Sequence, residues 1–453
     1  MRKNKLLLDT LMLSASSVLM SAIAMVFQVW LAGRIGAAGI GLFQLITSVT
    51  SLGMTFAVSG IRFAATRLVS EELSDRGGSS VRRAMRSCLG YGLFFGSAAW
   101  VVLWLLAEPI GVVCIGDART VLSLRISAFS MPCIALCSAI SGYFTACGRV
   151  WKPTLVHLFE QLISIAAAAF FLRRADTADI ASSCAAVTLG RLSGDLMSIA
   201  LMAGVYLADM RRHCSRLSPG SPVTGRMLRI AVPLAASAYA RSALSTALHL
   251  LVPRGLKKHG ASADAALAGY GTIQGMALPV LLFPACIMSA VAELIVPQLT
   301  EAQLRHNVND IRETVSSLVG KALRFSLITG LVMMLLSDFF GNALYHSADA
   351  GRYIRLIAPL VPVMYTDMVI DGCLKGLGQQ LKSMVINIID VLTGLIMVLW
   401  LLPLYGLPAY IAMIFLTETL NTALSAVCLR RAVKTEASCV RVKDDLDADG
   451  VMV

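Results

Sequence analysis

The amino-acid sequence predicts an all-α polytopic membrane protein, with about 12 transmembrane helices arranged as two parallel-repeat six-helix bundles. Three observations carry that prediction. The 453 residues are 57% hydrophobic and only 15% charged, with a mean hydropathy of +0.74, which is too apolar for a surface that faces water. Apolar runs of about 20 residues, the length that spans a bilayer core, recur along nearly the whole chain and leave no room for a separate soluble domain. The chain also repeats itself at an offset of 230. That shift lays Ala38, Gly39, Gly41, Gln44, Ser59 and Glu71 over Ala268, Gly269, Gly271, Gln274, Ser289 and Glu301. It lays Arg125, Pro132, Gly142, Gly148, Lys152 and Glu160 over Arg355, Pro362, Gly372, Gly378, Lys382 and Asp390. Composition alone makes Ala/Leu/Gly-rich segments look alike, but two windows that share one offset and match at polar positions point to duplication.

The opening MRKNK with its apolar sequel imitates a secretory signal peptide. The run continues through Leu31 and another follows at once, so it is expected to be a retained first helix. The expected spans are 11–31, 39–59, 87–106, 122–147, 154–172 and 180–207 in the first half. In the second they are 227–252, 267–295, 322–340, 353–374, 383–402 and 407–429, with breaks or tilts at Pro132, Pro279, Pro284 and Pro362. The segments around 62–86 and 298–321 are equivalent under the repeat and read as amphipathic helices on the membrane surface. Between the halves, HCSRLSPGSPVTG has the Ser, Pro and Gly content of a flexible connector. The resulting division is a first bundle over 1–212, a connector over 213–226, a second bundle over 227–430 and a tail over 431–453.

The net charge of +12 resides in short loops, where topology explains it better than nucleic acid. One side of the expected membrane collects 26 Lys and Arg and the other 8, which places both termini in the cytoplasm. The 11 cysteines form no CxxC pair and no zinc-like cluster. Those inside apolar runs, such as Cys88, Cys133, Cys137 and Cys184, read as small hydrophobes. No metal site is expected: His157 and Glu160 have an i, i+3 spacing but no second His/Glu pair to complete it.

Ionisable residues inside a bilayer cost at least about 2.5–3.5 kcal/mol on insertion scales and so mark function by default. Arg191 and Asp195 stand four apart on one helix face, where they can neutralise each other. Asp367 and Asp371 repeat that spacing with like sign and call for a cation, a proton or an arginine from another helix. Glu160 and Asp390 occupy equivalent positions in the two halves, the placement expected of a gating pair.

GRIGAAGIGLFQL with SGIRFAATRLVSEE, then SGYFTACGRVWKPTLVHLFEQ, then VPRGLKKHG before YGTIQGMALPVLLFP resemble the stage V sporulation protein B and polysaccharide-biosynthesis branch of the multidrug/oligosaccharidyl-lipid/polysaccharide (MOP) exporter superfamily. The likeness covers almost the entire chain, and Gly142 to Phe144, Lys152 to Thr154, Glu160 and Gln161 are its most specific part. It implies a MATE-like MOP flippase fold, two six-helix bundles around a central cavity, and alternating access that carries a lipid-linked saccharide across the bilayer. The lipid II flippase is a relative. Two departures stand out: the first helix carries no arginine, and the seventh has Arg241 and His249 but no acid, so a sodium site relying on an acid there does not carry over.

The expected function is therefore that of a flippase for a lipid-linked oligosaccharide or peptidoglycan precursor, in a bacterial cytoplasmic membrane, with no catalytic residues. Arg34, Arg62, Arg125, Arg241 and Arg355 are the candidate contacts to an anionic pyrophosphate headgroup, because guanidinium makes bidentate charge-assisted bonds to phosphate. Glu160, Arg191, Asp195, Asp367, Asp371 and Asp390 are the candidate coupling or gating groups. No cofactor is expected, and coupling stays open among Na+, H+ and membrane potential. The expected partners are the lipid-linked saccharide and membrane lipids, without nucleic acid, and the protein is expected to be a monomer. The rival within the superfamily is a cation-coupled multidrug antiporter, against which the arginine bias argues. A membrane glycosyltransferase needs a catalytic carboxylate pair that the short outer loops do not offer, and a scaffold for envelope assembly is a third possibility.

Overall fold

The computed structural model describes residues 2–76, 81–175, 179–213, 224–304 and 308–449. Most of the expected connector (214–223) and the end of the expected tail (450–453) lie outside the described residues. Among the described residues the chain is helical throughout, without strands, as apolar segments must be when the solvent offers the backbone no hydrogen bonds. The chain divides into two compact units. The first comprises Met1–Ser16 and Trp30–Leu250, and the second Ser17–Val29 and Leu251–Val453.

Unit 1 contains most of α1 (Arg2–Val58), then α2 (Ile61–Arg76), α3 (Val81–Pro109), α4 (Val121–Ala128), α5 (Ser130–Ala146), α6 (Trp151–Leu172), α7 (Ile180–His213) and the larger part of α8 (Thr224–Lys258). α1 is interrupted at Gly36, with φ 69° and ψ 178°, and Ser59 and Gly60, both at positive φ, turn the chain into α2. The apolar stripe of α2, read from the sequence as that of an amphipathic helix on the membrane surface, is covered within the protein. Ile61, Ala64, Ala65, Leu68 and Val69 are buried, in one core with Met85, Tyr91, Tyr143, Phe144, Met202 and Tyr206 of α3, α5 and α7. The i, i+3, i+4, i+7 stripe was legible; its cover is other helices instead of lipid.

The α2–α5 approach depends on Gly142, where a β-carbon would lie 2.5 Å from the Arg62 carbonyl oxygen. The Thr66 hydroxyl donates to the Gly142 carbonyl there at 3.2 Å. The turn from α5 to α6 needs Gly148 at φ 66° and is clamped from α7. Asp209, whose side chain is 2% exposed, accepts from the Tyr143 hydroxyl at 2.9 Å, Arg149 Nη1 at 2.5 Å and Lys152 Nζ at 2.6 Å. Lys152 also lies over the Phe144 and Trp151 rings, at 5.1 and 5.9 Å. Tyr143 and Lys152, in the stretch that carries the resemblance most specifically, are thus parts of a structural clamp. α8, expected to open the second bundle, packs in unit 1 up to Leu250. Arg226 bonds Glu72 at 3.0 Å, the Tyr239 hydroxyl donates to Ser59 Oγ at 2.6 Å, and Thr55 donates to Ser242 at 3.2 Å.

Unit 2 contains Ser17–Val29 of α1, the end of α8, and α9 (Ala263–Gly271), α10 (Leu278–Leu282), α11 (Ala285–Leu304), α12 (Val308–Leu335), α13 (Ser337–Tyr345), α14 (Ala348–Ile357), α15 (Val361–Gly376), α16 (Gln380–Trp400), α17 (Leu402–Tyr405) and α18 (Leu407–Asp449). α15 packs against α11, α12 and α18, and α16 against α18. The Gln28 amide of α1 donates to the Gly275 carbonyl at 3.0 Å.

The offset of 230 recurs in local geometry. Gly116 ends its turn at φ 78°, and His346, its equivalent, at φ 50°. Asp117 and Ser347 each cap the helical turn that follows. Gly148 and Gly378 have φ of 66° and 70°, and Gly372 faces Ala292 as Gly142 faces Arg62. Arg125 pairs with Glu108 at 3.4 Å, and Arg355 pairs with Asp338, which is Glu108 shifted by the same offset.

Ten helices among the described residues are long and apolar enough to cross a membrane, or eleven if the bent pair Ala118–Ala128 and Ser130–Ala146 is one span. The difference from about 12 has specific causes. The first two expected spans lie in one stretch, Ala15–Leu73, and the eighth divides at Phe283 and Pro284 into Ala263–Leu282 and Ala285–Gln303. The seventh falls in α8, which is not among the apolar helices and carries Arg226, Arg229, Arg241, His249 and Arg254.

Candidate functional site

Within unit 1, helices α1, α2, α5, α6 and α7 line an open cavity of about 230 Å³. Its polar lining comes from Arg62, His157, Glu160, Arg191, Asp195 and three serines of α5 and α7. The bend at Ser59 and Gly60 brings Arg62 to this space, and the 3.6-residue period sets Arg191 and Asp195 on one face of α7. Opposite charges share the space, yet they are not mutually satisfied. The described hydrogen bond of Arg191 goes to the thioether of Met54 at 3.6 Å, and Asp195, 5% exposed, has an Oδ2 without a partner. The expected neutralising bridge between these two residues is not formed. Glu160 Oε2 instead meets His157 Nδ1 at 3.1 Å. Among the described residues no group of three His, Cys, Asp or Glu is placed to hold a metal ion.

Of the other expected headgroup arginines, Arg34 lies over the Trp30 ring at 5.8 Å and Arg241 is exposed on α8. Arg125 is spent on Glu108 and lies over the Trp104 ring at 5.8 Å. Arg355 is spent on Asp338 and on the Ser337 hydroxyl at 3.1 Å. Only Arg62 of the five lines the cavity of unit 1.

The acids of unit 2 form a second polar cluster. Asp367 Oδ2 accepts from Asn421 Nδ2 at 2.8 Å; Asp371 binds Lys375 at 2.5 Å and accepts from the Ser383 hydroxyl. The like-charged pair is therefore resolved by an amide and a lysine, without an arginine from another helix. Asp390 is half-buried with Oδ1 unpartnered, as are Asp367 Oδ1 and Asn421 Oδ1. Glu418 of α18 lies within electrostatic reach of Asp390 and Asp367. Asp209, Glu72 and Asn421 were missed in the sequence. Their partners lie 54 to 154 residues away, and the one available signal was a polar residue within or at the end of an otherwise apolar helix.

The sequence model of the family described as Polysaccharide biosynthesis protein matches residues 6–303, and that of the MatE family matches 260–400. Stage V sporulation protein B of Bacillus subtilis (strain 168) is 23% identical over 447 residues, covering 96% of this chain and 85% of its own. Sporulation protein YkvU of the same organism is 20% identical over 385 residues, 83% of each chain. Among solved structures, an inward-facing multidrug resistance MATE family transporter of the MOP superfamily is similar with a TM-score of 0.72 at 13% identity, covering 92% of this chain and 96% of that one. Lipid II flippase MurJ, in an inward closed conformation, has a TM-score of 0.71 at 12% identity, with coverage of 94% and 90%. At these identities the structural likeness speaks for the fold.

Proposed function

Because this chain belongs to the Polysaccharide biosynthesis protein family, in the stage V sporulation protein B branch of the MOP superfamily of membrane transporters, we propose that it carries a lipid-linked oligosaccharide or peptidoglycan precursor across the cytoplasmic membrane by alternating access. The observation that carries this reading is the cavity of unit 1, where Arg62 and Arg191 share the space with Glu160 and Asp195 but form no ion pair with either among the described residues. Guanidinium stays charged and offers a planar fork of donors that fits a phosphate, while the isoprenoid tail of such a cargo remains in lipid. The basic bias of alternate loops supports an orientation with both termini in the cytoplasm. Asp367 and Asp390 of unit 2, each with one carboxylate oxygen unpartnered, are the groups we assign to coupling, by Na+, H+ or membrane potential, because such an oxygen in the membrane interior responds to a cation that reaches it.

Asp195 in the same cavity favours one second reading, a cation-coupled multidrug antiporter. A flipping assay in proteoliposomes, run on a pyrophosphate-linked sugar lipid beside a cationic dye, separates the two. The flippase reading expects lipid movement that falls in Arg62→Ala and Arg191→Ala and is restored only in part by Lys, which keeps the charge but loses the fork. Dye transport without lipid movement, lost in Asp195→Asn and untouched in Arg191→Ala, would overturn it.

A further inference from the structure

The cavity of unit 1 holds charges of both signs, with no ion pair described between its arginines and its carboxylates. Asp195 is 5% exposed and its Oδ2 has no partner. Arg191, one helical turn away on α7, gives its described hydrogen bond to Met54 Sδ at 3.6 Å, a weak acceptor. Glu160 is occupied by His157 at 3.1 Å. Ser130 serves the Asp195 carboxylate from α5, but a buried carboxylate oxygen without a partner beside an available guanidinium still costs free energy unless something else satisfies both. The space between them, about 230 Å³, far exceeds the roughly 10–15 Å³ that one water needs. An inorganic cation would meet Asp195 Oδ2 but offers no acceptor to the N–H donors of Arg62 and Arg191; an inorganic anion would meet those donors and leave Asp195 Oδ2 unpartnered. A molecule with an ammonium at one end and a phosphate at the other satisfies both, and the same cavity is lined by Ser138, Ser141 and Ser198.

We propose that this cavity is a zwitterion site: a phosphate ester seated on Arg62 and Arg191, and a primary ammonium seated on Asp195. The inference rests on the transport reading for its phosphate end alone; the ammonium end is new and restricts the ligand to aminoalkyl-phosphate chemistry. Such a group has two sources, the headgroup of an ethanolamine phospholipid or a phosphoethanolamine carried by a soluble compound or a decorated cargo.

The test uses the full chain in phosphatidylglycerol nanodiscs, with calorimetric titration of O-phosphoethanolamine, its N-acetyl derivative, ethanolamine and inorganic phosphate. O-phosphoethanolamine is expected to bind, and each of the other three probes to bind about tenfold or more weakly, the loss expected of one charge-assisted hydrogen bond. Asp195→Asn should erase the preference for the free amine over the N-acetyl probe while keeping the need for phosphate, and Arg191→Gln should do the converse. Asp195→Glu, which retains the charge, should keep the preference and shows that a loss in Asn is not misfolding. Replacing half the lipid with phosphatidylethanolamine tells the sources apart: competition with the soluble probe identifies the lipid headgroup, and absence of competition identifies the soluble or cargo-borne group. Equal binding of the free-amine and N-acetyl probes, phosphate binding as tightly as phosphoethanolamine, or absence of phosphoethanolamine binding overturns the inference. Flipping of the pyrophosphate-linked lipid with negative titrations sinks this site alone; intact titrations with no flipping sink the transport reading alone.

Discussion

Asp209→Ala should be among the most costly single substitutions in unit 1. The carboxylate is 2% exposed and collects Tyr143 from α5, Arg149 from the α5–α6 turn and Lys152 from α6. Removing one partner of a buried ion pair costs about 3–5 kcal/mol, because the other charge is left in low dielectric. Two features moderate that figure. Arg149 is 32% exposed and regains water, so its share is within about 1 kcal/mol. Lys152, only 18% exposed, keeps the Phe144 and Trp151 rings, which return about 0.5–2 kcal/mol. The net expectation is a loss of about 3 kcal/mol, with Asp209→Asn near half of it because the amide oxygen still accepts from Tyr143. A double-mutant cycle over Asp209→Ala and Lys152→Ala, read as denaturation midpoints in detergent, should return a coupling energy of about 1–3 kcal/mol. Additive single-mutant losses, or a cost for Asp209→Ala below about 0.5 kcal/mol, would refute the clamp.

Three further outcomes are expected. Gly142→Ala should destabilise more than Gly372→Ala in a thermal unfolding comparison, by about 1–3 kcal/mol, because its β-carbon meets a backbone oxygen at 2.5 Å where that of Gly372 meets the Ala292 methyl at 2.8 Å; the reverse order would contradict the packing. Asp390→Leu should raise stability by about 1–2 kcal/mol, since it removes a half-buried carboxylate with an unpartnered oxygen, while transport falls. A stability loss there would mean that Asp390 has a partner in the folded protein. Glu108→Gln and Asp338→Asn should each stay within about 1 kcal/mol of the parent, because their carboxylates are 70% and 65% exposed. A larger loss in either would show that the duplicated ion pair carries structure.

The repeat could be read from the sequence because it was written in residues that local geometry demands. Gly148 and Gly378, or Gly142 and Gly372, stand where a left-handed turn or a close helix approach admits little else. The convergence of Arg191 and Asp195 on one space followed from helical periodicity. Their failure to bridge did not, since spacing fixes a face and not the rotamer. Arg62 joins them through a chain reversal at Ser59 and Gly60, whose direction no periodicity contains. The ion pairs of Arg125 and Arg355 were legible in principle, because the offset that relates the arginines also carries Glu108 onto Asp338. The Asp209 clamp was not, because its donors lie 57 to 66 residues away and pattern gives no measure of distance between helices.

The two halves, matched by the offset of 230, tie down the same hairpin differently. In unit 1 three donors converge on a carboxylate of a third helix. In unit 2 the equivalent turn, at Gly378, is held by Asp371 of the same helical pair, through Lys375 and Ser383. Removing the first fastening requires α7 to leave as well, whereas the second is released by fraying a single hairpin. Amide protons around 147–152 should therefore exchange through a larger cooperative opening than those around 377–382. The repeat would then hold in the local geometry of the two turns but not in their dynamics, one hairpin serving as a fixed pivot and its twin as the place where the chain yields first.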